Sequence, residues 1–245
     1  MRRSRSTPKC CQATCHTSVT RITSGITPID AQLGGFIAGR IHLFVGVPGT
    51  GKTSATLHFL DAALQSGESA ALLTRDRGSD LISQAAHLGI DLRSALRSGQ
   101  LSAVRYRSDF ASRLASGVPV GRVLDELRAA WATARATRVA INTCSPFLAD
   151  GAPSDARMLA LTEFLESTGA TSVVTLPGEL STTTFDRRLE PLIDRAAAVL
   201  RFSCERAGRY RVDVVKVRQS FSSSYPIRFT IRAPNGIAAV GDEPD

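Results

Sequence analysis

Lysine is almost missing from this chain. Against 27 arginines there are three lysines, Lys9, Lys52 and Lys216. Where a diffuse positive charge suffices, the sequence uses a guanidinium. A lysine kept in such a background needs a specific reason, and a compact ammonium on a flexible stem suits reaching a phosphate oxygen. Acid is missing from the first 21 residues, where Arg2, Arg3, Arg5, Lys9 and Arg21 hold +5 of the formal net charge of +8. The rest is left at +3, too mild to define a nucleic-acid surface by charge. No run of about eighteen apolar residues occurs, which argues against a membrane-spanning helix. The basic N-terminus lacks the apolar core of a secretory signal. An odd count of five cysteines, three of them within residues 10–15, is no disulfide framework and fits a reducing cytoplasm.

The cluster CCQATCH places Cys10, Cys11, Cys15 and His16 close together, as a soft metal would want. No second Cys/His cluster completes a site, so a solvated, disordered basic arm over 1–20 is the simpler reading. A length of 245 residues suits one α/β core better than two. The expected organisation is the arm, one domain over 21–241 and a short acidic end at 242–245.

Beyond the arm, apolar runs alternate with amphipathic segments. IHLFVG (41–46), SAALLT (69–74), LSAVRY (101–106), TRVAIN (137–142) and TSVVTL (171–176) read as strands. The segments 52–67, 80–89, 120–135 and 155–169 read as helices, three of them closed by Gly67, Gly89 and Gly169. This order predicts an α/β fold with a mostly parallel sheet flanked by helices. From about residue 195, RAAAVLRFS, RYRVDVVKVR and IRFTIR read as antiparallel strands extending that sheet.

GVPGTGKTS (46–54) fits G-x-x-x-x-G-K-[ST] between a strand and a helix. Glycines at 46, 49 and 51 let backbone N–H groups curl around phosphate oxygens, and the following helix aims its N-terminus at the anion. Val47, Pro48, Thr50 and Ser54 complete the candidate nucleotide contacts. Lys52 would reach the β- and γ-phosphates, and the Thr53 hydroxyl would bind Mg2+.

Ahead of the loop, Ser24-Gly25…Asp30 and Gly34-Gly35…Gly39 follow a T-G-x-x-x-x-D…GG-x-x-x-G pattern with serine in place of the threonine. With the loop, this stretch resembles the RecA-like ATPases, and within them the KaiC-type proteins, over roughly residues 20–240. The resemblance implies a RecA-like core, ATP with Mg2+ as ligand, and a homo-oligomeric ring, by analogy a hexamer, with nucleotide at subunit interfaces. It also implies an acidic pair after the loop helix, to orient water, and an Asp ending the strand TRVAIN, on the metal side.

The chain departs from that pattern at both places. In LLTRDRGSD, Asp76 falls on the first acid and Arg77 on the second. Asp76 is a candidate catalytic base, its alternative being a solvated loop charge between Arg75 and Arg77. The metal-side position is Asn142, which can accept a hydrogen bond from a metal-bound water without the negative charge that strengthens it. Asp150 is the nearest acid downstream and a poor substitute. Weak turnover is therefore expected. A K-x-R that reaches the neighbouring subunit's γ-phosphate in the family appears as Lys216-Val217-Arg218, and strand alternation puts both cations on one face. Ser220 is a possible further phosphate contact. The hydroxyl pair that clock-type KaiC phosphorylates is replaced by Glu190 and Pro191, and Ser181–Thr184 reads as a polar loop, so no autokinase is expected.

The leading expectation is a slow KaiC/RecA-like ATPase whose nucleotide state governs ring assembly and contact with a protein partner. A non-hydrolysing nucleotide-binding scaffold is the alternative, supported by Asn142 and Arg77. A DNA-recombination role is disfavoured by the mild charge of the folded part.

Overall fold

The computed structural model describes residues 19–132, 135–148, 154–178, 187–218 and 225–240. Cys10, Cys11, Cys15, His16, Asp150, Ser181–Thr184, Ser220 and the acidic end at 242–245 lie outside the described residues. In chain order the elements are β1 (Arg21–Ile22), α1 (Thr27–Leu33), β2 (Phe36–Ile37), β3 (Ile41–Gly46), α2 (Lys52–Gln65), β4 (Ala70–Thr74), α3 (Gly78–His87), α4 (Leu92–Ser98) and β5 (Leu101–Arg105). There follow α5 (Phe110–Ala115), α6 (Val120–Ala132), β6 (Arg138–Asn142), α7 (Ser154–Ser167), β7 (Thr171–Pro177), α8 (Glu190–Arg195), β8 (Ala198–Arg206), β9 (Arg209–Val217), β10 (Ile227–Arg232) and β11 (Gly236–Ala239).

Nine strands form one sheet in the order β11-β10-β9-β8-β3-β7-β6-β4-β5. From β8 to β5 every neighbouring pair is parallel, and β9, β10 and β11 extend the sheet antiparallel. This corrects one expectation. RAAAVLRFS does not open the antiparallel part: β8 runs parallel to β3, because α8 carries the chain back to the sheet's starting end, and the reversal comes at the turn between β8 and β9. β3, β4 and β6 are buried throughout, as central strands covered on both faces must be. Alternate residues serve opposite faces. Phe44 and Leu72 pack with Ile26, Phe59 and Leu60, whereas Leu43, Val45 and Leu73 pack with Leu127, Leu161 and Leu192.

The glycine-marked segment before β3 contains a helix. α1 forms with Pro28 in its first turn, where a missing N–H costs nothing, and ends at Gly34 in a left-handed conformation. Asp30 accepts hydrogen bonds from the Ser24 N–H at 2.8 Å and the Thr23 hydroxyl at 2.6 Å. Gly25 has φ +74°, and a Cβ there would lie 2.2 Å from the His58 carbonyl oxygen of α2. The Ser-Gly…Asp residues of this segment thus dock it on the helix that follows the phosphate loop.

Candidate nucleotide-binding site

β3 carries the chain from its buried strand straight into the loop at Gly46. A side chain there would place its Cβ 2.3 Å from the Phe202 carbonyl oxygen and 2.9 Å from Thr50 Oγ1, so the loop tolerates no larger residue at its first position. Val47, Pro48 and Gly49 form an exposed crest, and the loop folds back on itself through Thr50 Oγ1, which donates to the Val47 carbonyl at 2.8 Å. Gly51 turns the chain into α2 with φ +89°. The first-turn N–H groups of a helix have no intrahelical partner, and no side chain caps those of α2, so they are available to an anion at the loop.

Lys52 points into that concavity. Its ammonium donates to the carbonyls of Gly46 at 2.6 Å and Val47 at 2.7 Å, and to Thr50 Oγ1 at 3.3 Å. Burial holds its pKa below the ordinary lysine value. Thr53 stands one residue on, half-buried, and Ser54 is turned into the protein.

Parallel pairing sets Thr74, at the end of β4, opposite Asn142, at the end of β6. Around Asn142 a short polar chain forms. Its Oδ1 accepts from Thr175 Oγ1 at 3.2 Å and lies 3.5 Å from Thr53 Oγ1, while its Nδ2 donates to Asp76 Oδ2 at 3.2 Å. Asp76 is further fixed by the Thr74 hydroxyl at 3.1 Å, and its own N–H donates to that hydroxyl at 3.0 Å. The structure thus brings Thr53, Asp76 and Asn142 together beside Lys52. Arg77 is exposed and precedes α3. The sequence reading missed Thr74 and Thr175. Their signal was a hydroxyl closing or interrupting an otherwise apolar strand near the end where α/β sheets bind ligands.

Lys216 and Arg218 lie elsewhere. Lys216 pairs with Val199, Val199 pairs with Leu43, and the Arg218 N–H donates to the Ala197 carbonyl. Both cations therefore sit by the starting ends of β3 and β8, with the phosphate loop at the far end of β3. As strand alternation requires, both reach the same place: the Lys216 ammonium donates to the carbonyls of Ile193 and Asp194 at 2.6 and 2.9 Å, and Arg218 donates to those of Asp194 and Ala196. Burial, and then the charge of Arg218, hold the Lys216 pKa below its ordinary value. Arg218 also lines an open cleft of about 900 Å³ with Arg40, Arg195 and Glu166.

The donors near Lys52 suit Mg2+: a threonine hydroxyl, an amide oxygen and a carboxylate are hard oxygen ligands, and Mg2+ usually combines one or two of these with phosphate and water. Among the described residues no group of three or more His, Cys, Asp or Glu could hold a metal, and no helix is long and apolar enough to cross a membrane. Cys144 is buried, its thiol pKa pushed up by burial, and Cys204 is exposed.

A parallel sheet with this loop at the end of a central strand and antiparallel strands beyond defines a RecA-like P-loop nucleotide-binding protein. The match is specific within that class: the family model described as "ATPase: KaiC" covers residues 22–243, and the chain belongs to that family. It is 36% identical over 95 residues to the circadian clock oscillator protein KaiC of Parathermosynechococcus lividus, a match spanning 38% of this chain and 18% of that protein. Among solved structures it is similar to a KaiC-like protein of the hyperthermophilic archaeon Pyrococcus horikoshii OT3, with a TM-score of 0.73 and 26% identity, covering 91% of this chain and 100% of that one.

Proposed function

We propose that this chain binds Mg-ATP at residues 46–54 and is a slow cytoplasmic ATPase whose nucleotide state governs assembly into a ring and recruitment of a protein partner. The supporting observation is the separation of its two lysine sites. Lys52 waits in the loop at one end of the sheet, and Lys216 with Arg218 waits at the other, too far away to serve its own loop. A second copy in a head-to-tail contact would bring one copy's pair to its neighbour's nucleotide, and a repeated contact of that kind closes into a ring when the rotation allows. A hexamer is the number the family resemblance suggests.

When bound, Mg2+ would neutralise phosphate charge and orient the nucleotide. The chain's own part is to hold it: Lys52 and the α2 N-terminus face the phosphates, Thr53 faces the cation, and Arg218 from a neighbour meets charge that develops on the transferred phosphoryl group. The test is ATP turnover beside Lys52→Ala, with oligomer size followed in parallel. Turnover above the variant, with nucleotide-dependent assembly, is expected. Equal turnover and ATP affinity in the two chains sinks the reading.

A second reading, a nucleotide-binding scaffold without hydrolysis, is favoured by an amide at 142 and an arginine at 77, which leave Asp76 as the carboxylate hydrogen-bonded to Asn142 among the described residues. Tight ATP binding with no turnover selects it. Salt-dependent binding of single-stranded DNA would instead select the DNA role.

A further inference from the structure

The amide of Asn142 has an orientation that its surroundings dictate. Its oxygen faces two hydroxyl groups, those of Thr53 and Thr175, and its nitrogen faces the Asp76 carboxylate. Turning the amide over would set oxygen against Asp76 Oδ2 at 3.2 Å and point the NH2 group at hydroxyls that now donate. The network therefore reads in one direction, from the Thr53 hydroxyl through Asn142 to Asp76. An aspartate at 142 would put two carboxylates at that same short distance, where like charges repel. Asn142 instead donates to the Asp76 carboxylate, and Asp76 is also held by Thr74, two residues earlier at the end of β4.

We propose that Asp76 supplies the metal-side negative charge that position 142 lacks, acting through the Asn142 amide, and that it is not the base that activates water. This rests on the Mg-ATP reading of the loop and deepens it. An Asp whose Oδ2 is already engaged by both Asn142 and Thr74 is poorly placed to swing toward an attacking water. The charge then sits just after β4 and not at the end of its neighbour β6, and the Asn142 amide joins the two. Among the described residues the carboxylate that contacts Asn142 is then committed to the cation and not to general base chemistry, so slow turnover is expected without loss of metal affinity.

The experiment follows Mn2+ binding to the chain with a non-hydrolysable ATP analogue, by electron paramagnetic resonance, in four proteins: the natural chain, Asp76→Asn, Asn142→Asp and the double variant D76N/N142D. Asp76→Asn is expected to weaken Mn2+ about tenfold or more, in the range that removing a partner of a metal's ligand costs. The double variant, which returns the charge to 142, is expected to recover affinity to within about threefold. Unchanged Mn2+ affinity in an Asp76→Asn chain that still binds the analogue overturns the assignment; if its turnover also falls, Asp76 is the base after all. Failure of the double variant to recover, while it folds and binds the analogue, also overturns it. Failure of the natural chain to bind the analogue is a different result, since it removes the phosphate-loop reading itself.

Discussion

The Lys52 ammonium lies 2.6 Å from the carbonyl oxygen of Gly46, inside the loop that leads into α2. A cation held there by carbonyls is already positioned where phosphate oxygens would arrive, and its bonds to Gly46, Val47 and Thr50 keep the loop from collapsing. Lys52→Ala should weaken ATP binding by at least about a hundredfold, since a charge-assisted contact to an oligophosphate and the loop's shape are lost together. Stability without nucleotide should change by less than about 1 kcal/mol, because the crest is exposed. Calorimetric titration with ATP and urea unfolding measure the two quantities. A variant that binds ATP as before refutes the assigned role.

Arg218 is tied to the last turn of α8 through the carbonyls of Asp194 and Ala196, so its replacement has two separable effects. As a cap on those carbonyls it should contribute about 1 kcal/mol to unfolding stability. As a group offered to a neighbouring copy, its removal should leave ATP affinity of the isolated chain within about twofold while lowering turnover or ring population far more, since such a guanidinium can be worth several orders of magnitude in rate. Light scattering coupled to size-exclusion chromatography, with ATPase assays, separates these. A drop in stability alone would make the Lys216–Arg218 pair a helix cap and nothing more.

Arg138 is 1% exposed and sits at the start of β6, where it holds three segments at once. It donates to Glu68 at 3.0 Å and to the Thr23 carbonyl at 2.8 Å, and its guanidinium lies 5.4 Å from the centre of the Phe59 ring. Arg138→Ala should cost about 3–5 kcal/mol, because it empties a large buried volume and strands its partners. Arg138→Met should cost less, since the stem is kept and Glu68 is exposed enough to be hydrated. Urea midpoints decide it, and an Ala variant within about 1 kcal/mol of the natural chain would contradict the reading.

Much of this was visible in the residues alone, and what was not has identifiable causes. IHLFVG marks β3 at its observed bounds because six consecutive apolar or small residues running into a glycine loop leave few alternatives. α1 is hard to recognise in the sequence because TPIDAQL is short and lies among glycines. α4 escaped too, although Asp91 accepts from the Ser94 N–H as an N-cap should. The direction of β8 depends on which strand it joins, and no local pattern carries that. At the site, the loop could be read residue by residue. The Asp76–Asn142 contact could not, because it joins residues 66 apart through the register of β4 on β6.

His42 gives the fold an acid weakness that has nothing to do with nucleotide. Its ring is 1% exposed, stacks on Phe36 with centroids 4.2 Å apart, and accepts the Ile37 N–H on Nε2 at 3.2 Å. Burial drives its pKa down to about 3 from 6.5, against backbone contacts that push the other way. The unfolded chain takes up this proton below pH 6.5 and the folded chain does not until about pH 3, so the unfolded state binds more protons throughout that window. Stability from this residue is intact above pH 6.5 and falls progressively on acidification. At pH 5 the loss should be about 2 kcal/mol, from roughly one and a half units at 1.4 kcal/mol each. His42→Gln keeps an acceptor for Ile37 but has nothing to titrate. It should be less stable than the natural chain at pH 7.5 and should close most of that gap by pH 5. Urea unfolding of both proteins at the two pH values measures the difference, and parallel losses on acidification would show that His42 is not the source.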